Sequence, residues 1–186
     1  MFVRRRSVVV ASVMCGVLAV AGCSTTEEGK AQPSSTTDVA AATAALWDPC
    51  SEIPESTLTG LGLNPGSKRS GILGAEEPGW KICSWEDDSF PSNYGVGVYS
   101  TIYTIDDLRA KPENIDFQEM TIAGRNGVHY RQSHYESDED CAFAFQTKTG
   151  LVQVDLLQTS SKRNRSAQPC DLLQPIADAL VPLFPQ

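Results

Sequence analysis

Histidine is nearly missing from this chain: its 186 residues include two, His129 and His134. That leaves little material for acid–base catalysis near neutral pH or for a histidine-rich metal centre. Four motifs are absent as well: the Gly-x-Ser-x-Gly elbow, His-Glu-x-x-His, the P-loop and the dinucleotide-binding glycine fingerprint. The enzyme classes those motifs define are therefore excluded. There is no Cys-x-x-Cys pair, so the usual zinc spacing is missing too. Basic residues are outnumbered, 15 Lys and Arg against 23 Asp and Glu, for a formal charge of −8. A body this acidic repels phosphate backbones, so nucleic acid is not expected as a partner. It also repels anionic head groups, so membrane attachment would need something other than a basic patch.

Acids are absent altogether before Cys23, where the chain is organised differently. Arg4, Arg5 and Arg6 precede an apolar run from Ser7 to Gly22, and small residues lead into a cysteine. This is the layout of a secretory signal peptide. The run is too short for a membrane span, about 24 Å of helix against a hydrocarbon core of roughly 30 Å. Val20-Ala21-Gly22-Cys23 matches the lipobox, a branched apolar residue and two small ones before the cysteine. Small side chains let a peptidase bring the backbone at the cut against its catalytic groups. Acylation of Cys23, with cleavage before it, would leave two or three lipid chains, and two suffice for stable anchoring. Removal of residues 1–22 takes the formal charge from −8 to −11. The expectation is an exported protein, lipid-anchored to the outer face of the cell membrane through Cys23.

From Ser24 to about Ala45 the chain is rich in Ser, Thr, Ala and Gln and has almost nothing large and apolar. Residues 23–45 therefore read as a disordered tether, followed by one folded domain over residues 46–186. In that domain, Asp48-Pro49 reads as a helix N-cap and first-turn proline, and 54–61 as a short helix. The hydrophobic period then changes to two. Strands are expected over 80–87, 94–103, 117–122, 128–133, 142–147 and 151–158. A short helix over 105–110 is capped by Thr104, and a terminal helix runs over 169–183 with Leu173, Ile176, Leu180 and Leu183 or Phe184 on one face. Gly124-Arg125-Asn126-Gly127 and Lys148-Thr149-Gly150 supply hairpin turns, the first through its Asn-Gly pair. The fold class that follows is α+β, an antiparallel sheet of about six strands packed against N- and C-terminal helices.

Of six cysteines, Cys15 leaves with the signal peptide and Cys23 carries lipid. Cys50, Cys83, Cys141 and Cys170 remain, enough for two disulfides in an oxidising compartment. Cys50 and Cys170 start terminal helices, whereas Cys83 and Cys141 lie in or beside strands. Pairing in order, or Cys50 with Cys141, would staple each helix to the sheet. Both are favoured over joining the two helices.

Several residues carry a resemblance at this point. Trp47-Asp48-Pro49-Cys50, a leucine-bearing helix ending at Gly62, Gly79-Trp80, Cys83-Ser84-Trp85 and the late Cys141 and Cys170 form one constellation. It resembles the actinobacterial lipoprotein family catalogued as domain of unknown function 3558, over about Leu46 to Leu183. The resemblance implies an envelope location and two disulfides, and it favours Cys50–Cys83 with Cys141–Cys170. It implies no activity.

No catalytic, cofactor-binding or metal-ligating residue is nominated. His129 and His134 read as surface residues. Glu86, Asp87 and Asp88 with Glu136, Asp138, Glu139 and Asp140 read as a solvated acidic edge rather than a calcium site, because the EF-hand pattern is missing. Lys162, Arg163 and Arg165 read as a soluble loop, and Trp47, Trp80, Trp85 and Tyr99 as core rather than a ligand groove. The functional expectation is an anchored, non-catalytic module that takes a small apolar ligand or an envelope protein on the open face of its sheet. An envelope hydrolase assembled from distant residues is the alternative.

Overall fold

The computed structural model describes residues 36–159 and 167–186. The signal segment, Cys23, the tether up to residue 35 and the Lys162, Arg163, Arg165 cluster lie outside the described residues. The chain enters through helix α1, Thr36–Ala44, so the last third of the expected tether is helical. Thr43 Oγ1 on this helix accepts from the Gly79 N–H at 2.7 Å, which docks it on the domain. Two short helices follow, α2 at Pro49–Glu52 and α3 at Glu55–Gly60. Asp48 caps α2 as expected, its Oδ1 accepting from the Cys50 N–H at 2.9 Å.

Seven strands then form one antiparallel sheet: β1 Arg69–Ser70, β2 Trp80–Glu86, β3 Tyr94–Thr101, β4 Asn114–Ile122, β5 Arg125–Gln132, β6 Asp140–Thr147 and β7 Gly150–Gln158. Their order across the sheet is β1-β2-β3-β7-β6-β5-β4. The sequence reading lacked β1, a two-residue edge strand too short to show a period. Helix α4, Ile105–Arg109, has the predicted Thr104 cap, reinforced by Asp107 into a capping box. Helix α5, Pro169–Leu180, closes the fold and passes into a turn of 3-10 helix, Val181–Leu183. Phe184, 3% exposed, is the residue that completes its buried face, and Leu183 is not.

One hairpin turns at a different place from the expected one. The β4–β5 turn is made by Ala123 and Gly124, both at positive φ, with Ile122 paired to Arg125. Asn126 and Gly127 lie inside β5. Gly127 is needed there for space, because a Cβ would stand 2.6 Å from both the Ala144 carbonyl oxygen and the Phe145 ring. The β6–β7 turn falls at Lys148-Thr149 as read.

The two faces of the sheet differ. Alternate residues Val152, Val154 and Leu156 of β7, Phe143 and Phe145 of β6, and Val96 and Val98 of β3 form the main core with Leu58, Leu173, Ile176 and Leu180 of the helices. The two disulfides staple this layer, Cys50 to Cys83 and Cys141 to Cys170, with Cα separations of 5.1 and 5.2 Å. Each joins a helix start to a strand, the pairing that the resemblance favoured. On the opposite face, Leu108 of α4 covers Val128, Tyr130, Ala142, Ala144 and Leu151. The rest of that face carries no helix among the described residues.

Candidate functional site

The uncovered part of the sheet is shaped by side-chain size along one transverse row. The register places Ser84, Gly97, Asp155, Ala142 and Tyr130 side by side on β2, β3, β7, β6 and β5. The residues flanking Asp155 are the two smallest, so the sheet is hollowed around a carboxyl group. Gly97 is indispensable to this geometry: a Cβ there would meet Asp155 Oδ1 at 2.5 Å and the Tyr99 hydroxyl at 2.6 Å. Instead the Gly97 N–H donates to Asp155 Oδ1 at 3.1 Å, and Tyr99 folds back to donate its hydroxyl to the same carboxyl.

The hollow has a volume of about 290 Å3 and adjoins a second of about 430 Å3, with Tyr99 and Gln132 common to both. Together they form a groove across the open face. Its floor is polar and aromatic. In the second hollow the buried Tyr130 hydroxyl donates to Gln153 Oε1 at 3.0 Å, and Tyr130 stacks on Phe117 with ring centroids 5.4 Å apart. Trp80 forms one wall and meets Tyr99 edge-on at 6.5 Å. At the other end Tyr135 and Asp140 complete the first hollow.

Electrostatics follow from this enclosure. Burial pushes the Asp155 carboxyl up to about 7, against the opposing hydrogen bonds from Tyr99 and the Gly97 N–H, and the Asp140 charge adds to the rise. Burial also raises the Asp140 carboxyl, although the Gln132 N–H donates to its Oδ2 at 2.7 Å. The Asp155 charge and burial hold the Tyr99 phenol well above its ordinary range, and burial does the same for Tyr130. Both tyrosines are therefore neutral donors throughout the physiological range.

Another hollow, about 470 Å3, lies between α1 and the Ser70–Ile82 edge. Asp48, which lines it, is occupied in capping α2. The convergence of buried polar groups that marks a recognition site belongs to the groove.

The residues weighed in the sequence fall in several places. Trp85 is core and Trp47 packs edge-on against Phe184 at 5.5 Å, as expected, but Trp80 and Tyr99 line the groove. His134 is exposed, its ring 4.2 Å from that of Tyr135. His129 is not a surface residue. It lies half-buried on the helix-covered side, its Nε2 3.4 Å from Cys170 Sγ, and burial followed by the Arg131 charge lowers its pKa. His129, Cys141 and Cys170 form the one metal-compatible cluster among the described residues, and both of its sulfurs are joined in a disulfide.

The acidic edge is only partly solvated. Asp87 is 7% exposed and organises the β2–β3 turn, accepting from the Asn93 N–H at 2.7 Å and from the Ser89 hydroxyl. Asp140 is 5% exposed. The sequence reading missed Asp155, Gln153, Tyr130, Tyr135 and Gly97. A signal was available: in Leu151-Val-Gln-Val-Asp155 two polar residues alternate through an apolar strand, and Gly95 and Gly97 alternate through its neighbour.

Among known proteins, the model of a family described as "Protein of unknown function (DUF3558)" matches residues 18–183. No curated protein and no solved structure matches the chain. The fold and its two disulfides, with a match across most of the length, place this chain in the DUF3558 family.

Proposed function

We propose that the protein is a lipoprotein of the cell envelope, anchored through Cys23, whose folded domain is a non-catalytic binding module with its ligand in the groove around Asp155. The observation that carries the binding role is the groove floor. Asp155, Tyr99, Tyr130 and Gln153 converge on a concave surface that, among the described residues, helices leave open except where Leu108 of α4 meets Tyr130, and hydrogen bonds fix their orientation before any ligand arrives. Of the two histidines, His129 lies on the opposite face against a disulfide, and His134, which lines the second hollow, packs with its ring tilted against that of Tyr135.

The anchor reading is supported by the lipobox, Val20-Ala21-Gly22-Cys23, behind its arginines and apolar run. Twelve residues, 24–35, separate Cys23 from the start of α1. Cys23→Ser is expected to release the protein from the detergent phase to the aqueous phase, and equal partitioning of both proteins would refute the anchor. For the groove, the large substitution Gln132→Trp fills the junction of the two hollows from a half-buried position. Native mass spectrometry after exposure to a small-molecule extract of cell envelopes is expected to show a species bound to the wild type and lost in Gln132→Trp. Equal retention by the two proteins would refute the groove as the binding site.

A further inference from the structure

One groove carboxyl lacks a counter-charge. Asp155 is hydrogen-bonded by a hydroxyl and a backbone N–H, and among the described residues no basic side chain is paired with it. Asp140, in the same hollow, has a side chain 7% exposed, and its Oδ1 has no hydrogen-bond partner. Arg131 Nη1, also buried and without a hydrogen-bond partner, stands 3.9 Å from that oxygen, too far to donate to it; the Arg131 charge, with His134 and His129, offsets part of the Asp140 charge, while Nε and Nη2 bind Asp116 at 3.1 and 2.8 Å. A buried acceptor of this kind is costly unless something completes it. Of the basic residues lining the groove, Arg69 pairs with Glu86 at 3.0 Å, Lys111 lies over the Trp80 ring at 5.5 Å, and the His134 ring is 4.2 Å from that of Tyr135. Glu77 and Glu113 add negative charge to the second hollow. Trp80, Tyr99, Tyr130 and Tyr135 line the walls, aromatic surface of the kind that attracts organic cations, and Trp80 already holds Lys111 over its ring.

Resting on the groove reading above, we propose that the ligand is an organic cation, an ammonium or guanidinium group on an apolar or aromatic body, whose N–H donors reach Asp155 and the free oxygen of Asp140. The cation supplies the charge that Asp155 lacks and a donor for the free oxygen of Asp140, and its body lies along the tyrosines toward Trp80. A neutral or anionic ligand of the same shape leaves Asp155 uncompensated.

Binding is coupled to protonation. The groups facing Asp155 are Asp140 on β6, Tyr99 on β3, Tyr130 on β5 and Tyr135 in the β5–β6 connection. Asp140 is faced in turn by Arg131, His129 and His134, and Glu77 and Glu113 line the second hollow. All three phenols have raised pKa values and stay neutral, so Asp155 leads the pH response. A cation must displace the Asp155 proton below about pH 7. Affinity should therefore be level above that pH and fall by up to about tenfold per unit below it.

The test uses the purified, disulfide-bonded protein and three probes of one shape: benzylammonium, benzyl alcohol and benzoate. Backbone amide NMR shifts locate each probe. The expected result is saturable shifts at Gly97, Gln132 and Asp155 with benzylammonium alone, weakened about tenfold or more in Asp155→Asn and less in Tyr99→Phe. Groove shifts of equal or greater affinity with benzyl alcohol or benzoate would overturn the cation and leave the groove reading standing. Failure of all three probes to shift groove residues would overturn both. Benzylammonium binding unchanged in a folded Asp155→Asn would also overturn the proposal.

Discussion

Asp155→Asn should make this protein more stable at neutral pH, and by an amount that depends on pH. The carboxyl titrates near 3.9 in an unfolded chain. It is pushed up to about 7 in the folded domain. Its folded-state pKa is raised, so the folded state holds a proton that the unfolded state releases between these values. Stability from this group is complete below about pH 4 and falls as pH rises to about 7, by about 1.4 kcal/mol per unit. The total is about 4 kcal/mol, a large share of the 5 to 15 kcal/mol typical of a domain. Asparagine has the same shape, accepts from the Gly97 N–H and the Tyr99 hydroxyl, and carries no charge to desolvate. Urea unfolding followed by the fluorescence of Trp47, Trp80 and Trp85 should give nearly equal midpoints for variant and wild type at about pH 4. At about pH 8 the variant should be more stable by up to about 4 kcal/mol, or about 10 °C in melting temperature. Asp140, Asp87 and His129 are common to both proteins, so the difference between them isolates Asp155. A variant that is equally or more destabilised at pH 8 than at pH 4 would refute the account of an uncompensated carboxyl.

Gly97→Ala should cost about 1 to 3 kcal/mol through overpacking, because its Cβ displaces Asp155 and Tyr99 together, and it should abolish groove binding in calorimetry while the fold persists by circular dichroism. Asp87→Ala should cost about 1 to 3 kcal/mol in urea unfolding at neutral pH. Burial alone would raise the Asp87 pKa, but hydrogen bonds from Ser89, Ser92, Asn93 and Tyr94 lower it on balance, so this stabilisation is present above about pH 4 and lost as pH falls further. Replacing the Cys141–Cys170 pair, which closes 29 residues, by alanines should cost about 2 to 5 kcal/mol, and Cys50–Cys83, closing 33, a similar amount. Non-reducing peptide mapping that joins Cys50 to Cys141 or Cys170 would contradict both values.

The architecture was legible where local chemistry and tertiary demand agree. The Asp48 and Thr104 caps, the Lys148-Thr149 turn and the period-two strands of β2, β3, β6 and β7 all read directly. Asn126-Gly127 misled because glycine serves two purposes: at Gly124 it makes a turn, whereas at Gly127 it clears room for Phe145. Helix α1 was taken for tether because its Ala- and Thr-rich sequence has no apolar stripe, and what fixes it is a bond from distant Gly79. The site itself was hidden for a related reason. Asp155, Gly97 and Ala142 are far apart in the chain and unremarkable singly, and only the strand register makes them one row. Trp80 and Tyr99 were taken for core because aromatic content does not tell which face of a strand a helix will cover.

The ligand class and its pH dependence turn on the state of one carboxyl group. An NMR titration of the Asp155 side-chain carboxyl carbon, in the free protein and with saturating benzylammonium, tests it directly. The account predicts a midpoint of about 7 in the free protein, moving down when the cation is bound. A midpoint near the ordinary 3.9 of an exposed aspartate, unmoved by the cation, would contradict it.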